Sequence, residues 1–216
     1  MEVLPHVKTD RRYTDRLVEI HSHEDVPRSW QNTPIEALIM SQNFGWPVKS
    51  SDSPGLLIAT CIEFRYALPI PRMYAYVIRR ASGRLIGSEF TIGYVLAKGV
   101  QHIAMVGHND CGMAKVPEAL PRVIDAFVNQ GWSRELAQQY CQKQAERYAM
   151  GDELDGQAAE YHRLRSLFRK VTIAPLFVSL YDSKFYIPKW YLEEQEKGSS
   201  MQSYRVPDEE IKKLLV

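Results

Sequence analysis

The run Leu56-Leu57-Ile58-Ala59-Thr60-Cys61 carries no charge and no alternation of apolar with polar residues. A strand with one wet face alternates, so a short continuous run of this kind suits a strand buried on both faces, the environment of a parallel sheet. The turn formers Ser50-Ser51-Asp52-Ser53-Pro54-Gly55 mark where it begins. His102-Ile103-Ala104-Met105-Val106 is a second such strand, and Tyr74-Ala75-Tyr76-Val77-Ile78 reads as another. Between the last two, Glu89 to Lys98 reads as a helix capped by Ser88 and stopped by Gly99. Strand, helix, strand implies a parallel pair with a crossover. The expected fold is therefore α/β, a largely parallel central β-sheet flanked by helices, with an N-terminal helical arm.

A chain of 216 residues suits one compact core with appendages. The spacing predicts an arm over residues 1–54, with a helix opened by Thr33 and Pro34, an α/β domain over 55–190 and a charged tail over 191–216. Within the domain, Pro117 to Lys170 has helical periodicity, including a segment capped by Ser133 and another from Ala158 to Phe168. Val171 to Leu180 and Phe185-Tyr186-Ile187 read as a closing hairpin. There is no internal repeat. With 45% apolar and 25% charged residues, composition excludes disordered, collagen-like and coiled-coil classes. The net charge of +1 gives no field to gather nucleic acid or an anionic membrane, so neither is expected as a partner. The apolar stretches fall short of the roughly 18 to 20 residues that span a bilayer. The first thirty residues contain no signal-like apolar block, so the expected location is cytoplasmic.

Three cysteines are an odd number in a chain too large to need disulfide staples, which favours metal binding or catalysis. A lone cysteine at a strand end is most simply a core residue. Here, however, Cys61 ends one buried strand while His108 and Cys111 follow another, and in open parallel sheets loops converge at the carboxyl ends of strands. Two thiolates and an imidazole are donors that suit zinc, and three protein ligands leave a position open, as in a catalytic site. Alternation beyond Cys61 would keep Glu63 and Arg65 on the same side, where a bidentate pair could orient a water.

These residues carry a resemblance to the β-class carbonic anhydrases. Cys61-x-Glu63-x-Arg65 resembles the family's Cys-x-Asp-x-Arg, and Gly107-His108-x-x-Cys111-Gly112 its Gly-His-x-x-Cys-Gly. Val77-Ile78-Arg79-Arg80-Ala81-Ser82-Gly83 is similar to its V-x-R-N-A-G-G segment, and Val178 to Asp182 to its closing tyrosine–aspartate strand. The likeness covers about residues 55 to 187, strongly as far as Gly112. It implies zinc held by Cys61, His108 and Cys111, with Glu63 and Arg65 as the dyad beside a metal-bound hydroxide. The implied activity is reversible hydration of carbon dioxide to bicarbonate, in a homodimer or higher homo-oligomer. Glu63 stands where the family has aspartate, Phe64 where it has a small polar residue, Arg80 where it has asparagine and Ser82 where it has glycine. The chain thus reads as a divergent branch, which leaves hydrolysis of carbonyl sulfide or carbon disulfide, or a non-catalytic zinc-binding assembly role, as alternatives.

Other candidates have plainer readings. Cys141 sits in a helical stretch without ligand partners, and His21 and His23 lie in a polar arm. His102 and His162 read as packing or surface residues, and Asp110 as a cap of the helix that follows, its commoner use beside a second-sphere role at the ligands. Trp30, Trp46, Tyr66 and Tyr74 suggest apolar surface from the arm covering something, which the family resemblance implies is a second subunit.

Overall fold

A computed structural model describes residues 6–198. Its centre is a six-stranded sheet formed by β1 (Leu17–Glu19), β2 (Leu56–Thr60), β3 (Tyr76–Arg79), β4 (His102–His108), β5 (Thr172–Val178) and β6 (Phe185–Pro188). The strand order is β1-β6-β5-β4-β2-β3. The ladders β3–β2, β2–β4 and β4–β5 are parallel, whereas β5–β6 and β6–β1 are antiparallel. Every residue of β2 is buried, as its uninterrupted apolar sequence requires.

Helices α1 (Pro34–Phe44), α2 (Glu89–Ala97), α3 (Val116–Asn129), α4 (Arg134–Tyr148), α5 (Glu153–Leu167) and α6 (Lys189–Glu196) complete the chain. Thr33 caps α1 as expected, its hydroxyl accepting from Ile35 N–H, and Ser133 caps α4 in the same way. Ser88 precedes α2 but makes no cap bond, because its hydroxyl accepts from Arg80 instead, at 2.6 Å. The third helix of the 117–170 region begins at Glu153 rather than Ala158, since Asp152 caps it through the N–H groups of Leu154 and Asp155. None of the described helices is long and apolar enough to cross a membrane. Part of the expected tail forms α6, and the remainder, 199–216, lies outside the described residues.

The arm is only partly helical, because Leu17–Glu19 pairs with Tyr186–Pro188 and extends the sheet. Trp30, Tyr66 and Tyr74 are buried in this chain's own core, Trp30 stacked on Tyr191 at 4.9 Å, so they offer no uncovered surface; of the four aromatics only Trp46 is exposed. Cys141 is buried with Ile124 and Ala137 in a small separate core between α3 and α4.

Pro175 lies within β5 and has no N–H to give, yet the β5–β6 ladder ends at Phe177 and leaves it outside. Gln157 of α5 crosses the sheet above Gly107 and donates through Nε2 to the carbonyls of Met105 and Leu176, at 3.0 and 2.7 Å. A Cβ at Gly107 would meet Gln157 Nε2 at 3.1 Å and Phe177 Cδ2 at 3.2 Å. Neither neighbour can yield, one being doubly hydrogen-bonded and the other fully buried. Gly107→Ala is expected to destabilise the fold by about 1 to 3 kcal/mol, the usual cost of overpacking, read as a lowered urea midpoint with an unchanged slope.

Candidate metal centre

In the β2–β4 ladder Thr60 pairs with Val106, so Cys61 leaves the sheet beside Gly107 and one residue short of His108. Both side chains emerge at the same carboxyl edge. Cys111 returns to that edge three residues later, at the head of a short turn over Gly112–Lys115. The ligand atoms of Cys61, His108 and Cys111 all lie within 4.8 Å of one another, and all three residues are buried. They could hold a metal ion.

Three observations test the fit. The two sulfurs stand 4.0 Å apart, close to the separation of about 3.8 Å expected for two thiolates at roughly 2.3 Å from a tetrahedral zinc. His108 Nδ1 lies 3.0 Å from the Asn109 carbonyl, which places the neutral ring's proton there and leaves Nε2 with its lone pair. Nε2 is buried and makes no hydrogen bond. An orphaned ring nitrogen facing two thiols is a costly arrangement that a cation would relieve. Electrostatics agree. The neighbouring Cys111 thiol, against the effect of burial and with help from His108, pulls the Cys61 thiol well below its ordinary value, while Cys61 and burial push Cys111 up. One thiolate forms readily and the second needs a positive charge.

Glu63 and Arg65 do pair, through a turn rather than through strand alternation. The Arg65 backbone N–H donates to Glu63 Oε1 at 2.7 Å, and its guanidinium donates to both carboxylate oxygens, also at 2.7 Å. These bonds, against partial burial, hold the Glu63 carboxyl down to about 2, so it is an acceptor at neutral pH. Its Oε2 lies 3.9 Å from His108 Nδ1. Asp110 does not cap a helix. It accepts from Arg65 at 2.9 Å, fixing the guanidinium from a second side. Arg79 of β3 donates to the carbonyls of Cys61, Glu63 and Tyr66, so the whole 61–66 loop hangs from the neighbouring strand.

The segment after β3 closes the floor. Ser82 and Gly83 adopt φ of +62° and +69°, and a Cβ at Gly83 would lie 3.5 Å from the Cys61 amide nitrogen. Glycine is natural there; serine at 82 accepts a left-handed backbone that L residues rarely adopt. Arg80 donates to Ser88 and to the Tyr148 hydroxyl, tying this segment to α4. His21 and His23 are largely exposed, His102 approaches the Gly55 carbonyl and His162 pairs with Glu194.

No family profile matches the chain, and no curated protein matches it in sequence. Solved structures do. The β-carbonic anhydrase isoform I of Trichomonas vaginalis superposes with a TM-score of 0.56 at 18% identity, over 67% of this chain and 88% of that one. The chain has the β-carbonic anhydrase fold. The apo form of a carbon disulfide hydrolase shares it as well, with a TM-score of 0.50 at 16% identity, over 73% of this chain and 89% of that one.

Sequence reasoning missed two residues beside the centre. Glu153, 4% exposed, accepts from the Cys111 N–H, and Tyr13 accepts from the Asp110 N–H. A second arm contact fixes the same corner, where Arg16 donates to both oxygens of Asp152 at 2.9 Å. Burial alone would raise the Asp152 carboxyl, but the Arg16 bonds outweigh it and hold the group below its ordinary value. A lowered pKa means stability present above the unfolded value and lost as pH falls through the folded one. Asp152→Asn keeps a good cap, so it is expected to cost about 1 kcal/mol at neutral pH through loss of the ion pair. That difference should begin to shrink as pH falls to the ordinary aspartate value of about 3.9 and disappear only once the lower folded value is passed, in urea titrations of both proteins across the acid range.

Proposed function

We propose that the chain is a zinc-dependent carbonic anhydrase that hydrates carbon dioxide reversibly, with Cys61, His108 and Cys111 holding the ion. The supporting observation is the convergence of three buried donors, one with an orphaned nitrogen, beside a doubly anchored carboxylate. Zinc in such a set offers an open position and makes water far more acidic, the property for which carbonic anhydrase is the standard illustration.

The remaining work falls to the protein's own side chains. Glu63, kept ionised by Arg65, retains lone pairs with which to accept a hydrogen bond from the nucleophilic water and so aim its free lone pair at the substrate carbon. Arg65 is a positioning residue, since Glu63 and Asp110 occupy its donors. The same bonds weigh against Glu63 as a fourth ligand in a purely structural site, and it does not belong to the cluster of mutually close donors. Ile62 and Phe64, on either side of Glu63, are 63% and 92% exposed. That apolar rim supports a homodimer or higher homo-oligomer closing over the site, and three free cysteines suit the cytoplasm. Carbon disulfide, like carbon dioxide a linear molecule with an electrophilic carbon, is the second reading, supported by the fold shared with its hydrolase.

Stopped-flow hydration by protein carrying one zinc per chain should exceed a Cys61→Ser control, which is expected to lose both stoichiometric zinc and activity. Zinc retained by Cys61→Ser in metal analysis would refute the ligand assignment. Glu63→Gln should keep its zinc while kcat/KM falls by about 100-fold or more, the scale for losing one oriented hydrogen bond in a transition state. Background rates with carbon dioxide but turnover of carbon disulfide would select the second reading.

A further inference from the structure

Two successive peptide N–H groups of the ligand loop are held by side chains from distant segments. The Cys111 N–H donates to Glu153 Oε1 at 3.2 Å, and the Asp110 N–H donates to the Tyr13 hydroxyl at 3.3 Å. Glu153 opens α5, Tyr13 belongs to the arm, and they are 4% and 1% exposed. A carboxylate buried this deeply is expensive unless it accepts hydrogen bonds. Burial and then the charge of Glu153 push the Tyr13 phenol up, so it stays protonated beside the carboxylate. Asp110, between the two anchored amides, has φ of +53°, a conformation a non-glycine residue keeps only when its surroundings enforce it. The direction in which the Cys111 side chain leaves the backbone is set by these peptide planes.

We propose that Glu153 and Tyr13 are positioning residues for the metal, holding the Asp110 and Cys111 peptides so that the Cys111 thiolate meets Cys61 and His108 without reorganisation. The inference rests on the metal reading above. Neither residue touches the ion or the substrate. Their effect is on affinity, because a loop already fixed in its bound conformation loses little freedom when a cation arrives. Residues around Tyr13 thereby become part of the site, although nearly fifty positions separate them from the nearest ligand.

Cobalt(II) serves as the probe, with affinity measured by chelator competition and the thiolate-to-cobalt absorption recorded on the same samples. Wild type is expected to bind one cobalt per chain. Glu153→Leu should weaken binding by about 10- to 100-fold, the range for losing a group that orients a ligand, and should alter the charge-transfer band. Glu153→Gln keeps an acceptor and should stay within about threefold of wild type, since hydrogen bonding to the amide is retained. Tyr13→Phe deletes one oxygen, preserves the ring's packing and should weaken binding measurably even if Glu153→Leu fails to fold. Ser133→Ala, which removes the cap of α4 away from the loop, should lower stability with affinity unmoved. Wild-type affinity and spectrum in both Glu153→Leu and Tyr13→Phe, or in Tyr13→Phe alone should the other not fold, would overturn the positioning role and leave the metal reading intact. A wild-type protein that takes up no cobalt or zinc would overturn both.

Discussion

The parallel register of β2 against β4 is the constraint on which the site depends. With Thr60 opposite Val106, Cys61 and His108 leave adjacent strands within one residue of each other at the same edge. A slip by one residue would shift Cys61 by about 3.3 Å and turn alternate side chains to the opposite face. On its other side β4 is tied to β5 by Gln157, which bonds carbonyls on both strands, and Gly107 is the gap through which it passes. The three candidate ligands are thus brought together by strand pairing.

Around that edge the charges are unevenly matched. Two thiols, Glu63, Asp110 and Glu153 gather near one imidazole, with Arg65 bonded to two of the carboxylates and Lys115 3.6 Å from Asp110. Cys61 is drawn toward its thiolate by its neighbours while Cys111 is held as a thiol, and a divalent cation would favour both thiolates, so metal uptake would be coupled to proton release. Such a site exchanges protons for a cation without moving its backbone, provided that the loops around it are held by something else. Arg79 does this for residues 61–66, and Glu153 with Tyr13 for residues 110–111.

What the sequence made legible was whatever depended on strand ends. Cys61, His108 and Cys111 could be grouped because each follows a run whose apolar continuity announces a buried parallel strand. The Glu63–Arg65 pair was legible too, but for the wrong reason, since an i to i+2 turn joins it rather than alternation. Contacts that depend on long-range docking were silent. Nothing near Tyr13 signals an approach to Asp110, 97 positions away, and a three-residue strand such as Leu17–Glu19 is too short to show a period. Ser88 looks like a cap and is not one, because Arg80 competes for its hydroxyl. Propensity names the donors available in a segment, while packing decides which partner arrives.

Glutamate at position 63 illustrates how one departure can be absorbed by another. Its extra methylene carries the carboxylate farther from its own backbone than aspartate would. The turn at Arg65 bends the chain back, so that Oε1 reaches the Arg65 amide and both oxygens reach the guanidinium. Arg65 would then be displaced outward, were it not clamped from the far side by the carboxylate and carbonyl of Asp110. Asp110 does so in a left-handed conformation, with its own N–H bonded to Tyr13 and the next to Glu153. The glutamate, the second carboxylate on Arg65 and the buried anchors from the arm and α5 form one mechanical unit. The longer side chain is therefore accommodated by the way Arg65 and Asp110 hold its carboxylate beside the three donors.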